Sequence, residues 1–137
     1  MKRIITLYGH ADCGKSATMN FLREMIRKDG VSMSSNPPYV GEKRETFLFK
    51  EQVICLCPGG DDLATVKGNF DYANSKNADI IITACRTRGE SIKEVIRQSH
   101  EYDIDVEWFR KSYEYHLSEE TQNLCNQEFA RLMFESL

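Results

Sequence analysis

Lys2-Arg3-Ile4-Ile5-Thr6-Leu7-Tyr8-Gly9-His10-Ala11-Asp12-Cys13-Gly14-Lys15-Ser16 is the stretch whose reading decides the fold. Its first half is short, apolar and β-branched, and a glycine stops it, which predicts a buried strand over 2–8. Gly9 to Ser16 is a loop bounded by glycines. From Ser16 to Lys28 the apolar residues Ala17, Phe21, Leu22, Met25 and Ile26 recur near the helical period, and Gly30 supplies a stop. The order is strand, glycine loop, helix.

Gly9 to Ser16 also matches G-x-x-x-x-G-K-[ST] at every fixed position, in the strand-to-helix context that gives this spacing a physical meaning. Gly9 and Gly14 let the backbone turn where a Cβ would clash. The amides of His10, Ala11, Asp12, Cys13, Gly14, Lys15 and Ser16 are then free to point inward and cradle phosphate oxygens, with Ala17 completing the first helical turn. The helix N-terminus adds partial positive charge. Lys15 reaches the β- and γ-phosphates as a point charge, and the Ser16 hydroxyl suits a Mg²⁺ ion bridging two phosphates. His10 and Cys13 fill free positions of the pattern.

Outward from this stretch, 30–41 is rich in turn residues (Ser32, Ser34, Ser35, Asn36, Pro37, Pro38) and reads as a loop. Arg44–Phe49 and Gln52–Cys57 are strand-like and close enough to pair as an antiparallel hairpin. Only Lys50 and Glu51 clearly separate them; these are poor type I′ residues, which leaves a slightly longer turn open as well. Cys57-Pro58-Gly59-Gly60-Asp61-Asp62 is a break. A helix with Leu63, Val66, Phe70 and Ala73 on one face follows, weakened by about 1 kcal/mol at Gly68 relative to alanine. Asp79–Ala84 reads as a central strand, Cys85–Gly89 as a polar loop, and Ser91–His100 as an amphipathic helix. Asp103–Phe109 alternates, with Ile104, Val106 and Trp108 on one side and Asp105 and Glu107 on the other, which predicts an edge strand with one wet face. Ser118 is placed to cap a last helix whose apolar face is Leu124, Phe129, Leu132 and Met133. Trp108, Phe109, Tyr113 and Tyr115 form an aromatic patch expected to pack in the core and on that helix, with a base-stacking or partner surface as the alternative.

The composition agrees with one globular domain over 1–137. The chain has 137 residues, 41% hydrophobic and 28% charged, and a net charge of −3, with no basic excess to indicate nucleic acid. The longest apolar runs, of about five residues as at Ile4 to Tyr8, are too short for a membrane span or a secretory signal. Five cysteines, an odd number with no C-x-x-C pair, argue against a disulfide framework and for a reducing cytoplasm. Cys55 and Cys57 share one strand face as small hydrophobes. No Cys/His spacing suggests structural zinc, and His100 and His116 read as surface residues.

The loop pattern and the alternation of strands and helices resemble the P-loop NTPase superfamily, and the element order resembles its Ras-like GTPase core. The resemblance implies an α/β, three-layer fold: about five mostly parallel strands with one antiparallel edge strand, and helices on both faces. It makes 30–41 the analogue of a first switch loop and a candidate protein-partner surface, and Gly60 the analogue of a second-switch glycine. Two positions depart from it. Cys57 stands where that alignment expects an aspartate, which leaves Asp61 or Asp62, a few residues late, to hold Mg²⁺ through water, with Ser16. No N-K-x-D follows a later strand, which disfavours GTP and leaves ATP. The expected function is Mg²⁺-dependent binding of a nucleoside triphosphate, with weak hydrolysis or a nucleotide-dependent switch, as a monomer or an oligomer. The alternative is similarity to the small-molecule and nucleotide kinases, in which Pro58-Gly59-Gly60 would face an acceptor. In either case Arg86 and Arg88, at the end of a central strand, would join Lys15 in neutralising charge on a transferred phosphoryl group.

Overall fold

The first strand, β1 (Arg3–Tyr8), lies inside the sheet, and the computed structural model describes residues 1–34 and 42–137 around it. Further along the chain come α1 (Lys15–Asp29), β2 (Val31–Ser32), β3 (Glu45–Phe49), β4 (Gln52–Cys57), α2 (Leu63–Ser75), β5 (Ile80–Cys85), α3 (Glu90–Tyr102), β6 (Val106–Arg110) and α4 (Glu119–Glu135). Among the described residues these strands form one mixed sheet in the order β2-β3-β4-β5-β1-β6. β4, β5, β1 and β6 run parallel, while β3 is antiparallel to both its neighbours.

Burial explains which strands are central. β5 is buried at all six positions and β1 at its four inner ones, so neither has a wet face. Ile5, Leu7, Ile54, Leu56, Ile80 and Ile82 face one way and pack under Met19, Leu22 and Ile26 of α1 and Ala130 and Met133 of α4. Ile4, Cys55, Cys57 and Ile81 face the other way, against Val66, Phe70 and Ala73 of α2 and Val95 of α3. Helices therefore cover both faces, and Cys55 and Cys57 share a face as their spacing requires.

Several expectations are corrected. The sheet has six strands, not five, because Val31 and Ser32 pair with Leu48 and Phe47 inside the stretch read as loop. β2 therefore holds the edge, and the antiparallel strand β3 is internal. The hairpin between β3 and β4 does close through Lys50 and Glu51 alone, with φ of 50° and 63°, the shorter of the two turns left open. The buried register of Phe47, Phe49, Ile54 and Leu56 outweighs the modest cost of two non-glycine residues in the left-handed region. β6 is an edge strand, and Asp105 just before it is exposed as expected, but the rest of that side is less wet than the alternation predicts. Glu107 is paired by Arg3 through Nε at 2.8 Å and Nη2 at 2.7 Å, and Phe109 on the same side packs on Phe129, whereas Trp108 is 39% exposed and edge-on to Tyr8. Tyr115 is 80% exposed and meets Tyr113, not α4. α4 buries Gln122, Asn126, Ala130 and Met133, while Leu124 and Leu132 lie outside, because its inner face meets α1 and the glycine loop more than the sheet. Among the described residues no helix is long and apolar enough to cross a membrane.

Candidate functional site

α1 leaves the carboxyl end of β1 on one face of the sheet and α3 leaves the carboxyl end of β5 on the other. The crevice between them is a topological switch point, where open α/β sheets bind ligands. Gly9 opens the connecting loop there, its N–H donating to the Cys85 carbonyl at 3.2 Å. Asp12 and Gly14 turn the chain in the left-handed region, at φ 60° and 98°. The dihedral at Gly14 calls for glycine, and a Cβ there would lie 2.6 Å from Asn126 Oδ1, which would have to shift.

The turn leaves α1 with a bare N-terminus. Gly14 provides no side-chain cap, and the first turn contains no acid. Among the described residues no hydrogen bond takes up the N–H groups of Lys15 or Ser16. These orphan donors and the helix dipole make the end electropositive. Lys15 adds a full charge. Its side chain is 8% exposed, and its ammonium donates to the Gly9 and His10 carbonyls at 2.8 and 2.9 Å. It also stands 3.9 Å from Asp61 Oδ1, which Arg86 Nε approaches at 3.5 Å. Asp61 and Arg86 are half exposed, so this ion-pair chain adds little stability and can rearrange around a ligand.

These groups border a cleft of about 350 Å³ lined by Asp12, Gly14, Lys15, Ser16, Ala17, Glu42, Pro58, Gly60 and Asp61. Of the residues singled out in the sequence, Gly9 and His10 give their carbonyls to Lys15. His10 turns its ring to the Ala11 carbonyl, and Cys13 is buried behind the loop. Arg86 reaches the cleft through Asp61. Arg88 is exposed and has no ion pair or hydrogen bond among the described residues, so the structure does not bring it to the site. Of the loop read as a partner surface, 35–41 lies outside the described residues; in 30–34, Val31 and Ser32 belong to the sheet.

Cys57 does not substitute for the missing aspartate. It is fully buried against α2, and that burial pushes its thiol well above the usual range. Burial likewise pushes Cys85 up to about 12, with the Lys15 charge pulling the other way. Both thiols stay protonated, and the cleft's anionic groups are carboxylates. Among the described residues no group of three or more His, Cys, Asp or Glu side chains could hold a metal by itself.

Four contributors had no signal in the sequence. Glu42 lines the cleft from just before β3. Asn69, buried in α2, donates to the Gly59 carbonyl at 2.8 Å and to Thr83 Oγ1 at 2.9 Å, and so fixes the Pro58-Gly59-Gly60 turn. Lys111, just past β6, donates its backbone N–H to Tyr8 O and its ammonium to Cys13 O at 3.1 Å, bracing the loop from behind. Asn126 packs against Gly14. Each is an isolated polar residue that only the fold brings to the loop. Comparison with family models, with curated proteins and with solved structures finds no match to this chain.

Proposed function

We propose that the chain binds a nucleoside triphosphate, with ATP favoured, through the Gly9–Ser16 loop in a P-loop NTPase manner. The observation that carries this reading is the bare α1 N-terminus, whose first residues Lys15 and Ser16 have unpartnered amides and line the cleft. A triphosphate would exchange the Gly9 and His10 carbonyls on Lys15 for stronger, charge-assisted partners. Arg86, now 3.5 Å from Asp61 and half exposed, would exchange that carboxylate for a phosphate. The oxygen donors around the cleft suit Mg²⁺, a hard cation that keeps most of its waters and needs few protein ligands. Ser16 and Asp61, with Glu42, would hold it, and it would offset phosphate charge. The absence of N-K-x-D favours ATP over GTP. Five unpaired cysteines fit a reducing cytoplasm.

Weak hydrolysis or a nucleotide-dependent switch would build on that bound nucleotide. A kinase is the second reading. It is favoured by Glu42, which borders both the cleft and an adjoining groove. Native mass spectrometry of the full chain against a mixed nucleotide pool with magnesium tests the reading. The expected result is a complex at the mass of MgATP; binding of phosphate alone, or of nothing, overturns it.

A further inference from the structure

Beside the cleft, across Glu42, lies a second groove of about 480 Å³ lined by Glu42, Lys43, Arg44, Thr65, Asn69 and Tyr72. This is the size range of small-molecule sites. It opens at the carboxyl end of the parallel strands, because the pairing of Glu45 with Leu56 sets Arg44 beside the Pro58-Gly59-Gly60 turn. We propose that this groove binds a small anionic molecule, bearing a phosphate or a carboxylate, through the Arg44 guanidinium.

Arg44 is positioned without being neutralised. Its Nε donates to Asn69 Oδ1 at 2.8 Å and its Nη2 to the Thr65 carbonyl at 3.3 Å, both uncharged acceptors. Asn69 is held in turn by Gly59 O and Thr83 Oγ1, so the guanidinium rests on a rigid support. Among the described residues no carboxylate lies within 4.0 Å of it, and its Nη1 donates to none of them. Arg23, by contrast, meets Glu45 at 3.1 Å. An oriented guanidinium with spare donors is suited to planar, bidentate recognition of an oxyanion.

Gly68 is the second observation. It lies within α2, where alanine suits a helix better. A Cβ there would stand 2.5 Å from Arg44 Nη2. The helix therefore leaves room for this guanidinium at the expense of its own propensity. The proposal uses the triphosphate reading only for what lies across Glu42; the anion chemistry of the groove is tested separately from it.

The full ¹⁵N-labelled chain, saturated with magnesium and the non-hydrolysable ATP analogue AMP-PNP, is titrated with inorganic phosphate and, in parallel, with malate. The Arg44 Nε–H signal should shift saturably with at least one of the two, and which one responds separates a phosphate ligand from a carboxylate ligand. Arg44→Gln should weaken that binding about tenfold or more. Gly68→Ala keeps the charge but displaces it. It should weaken binding by about threefold or more while the melting temperature stays the same or rises. A purely structural Arg44 would show no such split. If Arg44→Gln does not fold, the wild-type signal and Gly68→Ala still decide. The proposal is overturned if neither probe moves the Arg44 signal, or if Gly68→Ala binds as tightly as the parent. If the groove responds but AMP-PNP leaves the Gly14, Lys15 and Ser16 amides unmoved, the triphosphate reading fails and the groove stands.

Discussion

At the scale of single residues, the cleft depends on atoms that are missing. Gly60 passes so close to β5 that a Cβ would fall 1.9 Å from the Ala84 carbonyl oxygen, which is backbone and cannot swing aside. Gly60→Ala should therefore destabilise the chain by about 3 kcal/mol, at the upper end of ordinary overpacking. Urea unfolding measures this; a loss below about 1 kcal/mol would mean that the Pro58-Gly59-Gly60 turn can lift away from β5. The glycine loop and Lys15 were legible in the sequence because one local pattern holds both the turn and the charge. Glu42, Arg44 and Asn69 were not. Their meaning lies in mutual distances across 25 residues, which no local pattern encodes. Arg88 shows the converse: its sequence neighbourhood suggested the site, yet its side chain stays in solvent.

At the scale of elements, α1 is tied to the sheet by a buried charge cluster as well as by apolar packing. Arg23 and Glu45 are 1% and 0% exposed and meet at 3.1 Å. Arg27 and the Ser32 hydroxyl also donate to the Glu45 carboxylate, at 3.0 and 2.7 Å. Burial lowers the Arg23 pKa, opposed by the Glu45 charge. Glu45→Ala should cost about 3–5 kcal/mol, since it leaves a guanidinium buried without its counter-charge. The Arg23→Leu, Glu45→Leu double variant should recover most of that loss in chemical denaturation. A double variant no more stable than Glu45→Ala would show that Arg27 and Ser32 need the carboxylate for themselves. This cluster also explains why β2 escaped the sequence reading. A two-residue strand carries no periodicity, and Ser32 is held there partly by a side chain from the next strand. The apolar runs of β1, β4 and β5 were legible because burial on both faces leaves a continuous signal. On α4, Leu124 and Leu132 misled because half of its buried stripe is polar, Gln122 and Asn126, set by contact with the loop and α1.

At the scale of the whole molecule, the sheet order places β1 between β5 and β6, so that one crevice gathers the loop, the α1 terminus, Asp61 and Arg86. The fold class and the covering of both faces were legible from the alternation of strands and helices. The lateral order was not, since nothing in a strand's composition names its neighbour. The central claim is that this crevice is a triphosphate site built on Lys15. Calorimetric titration of MgATP into the parent chain and into Lys15→Ala, each confirmed folded by its melting transition, tests it most directly. The account predicts saturable binding to the parent and none measurable to the variant. Equal affinity for both, or no binding to either, would contradict it.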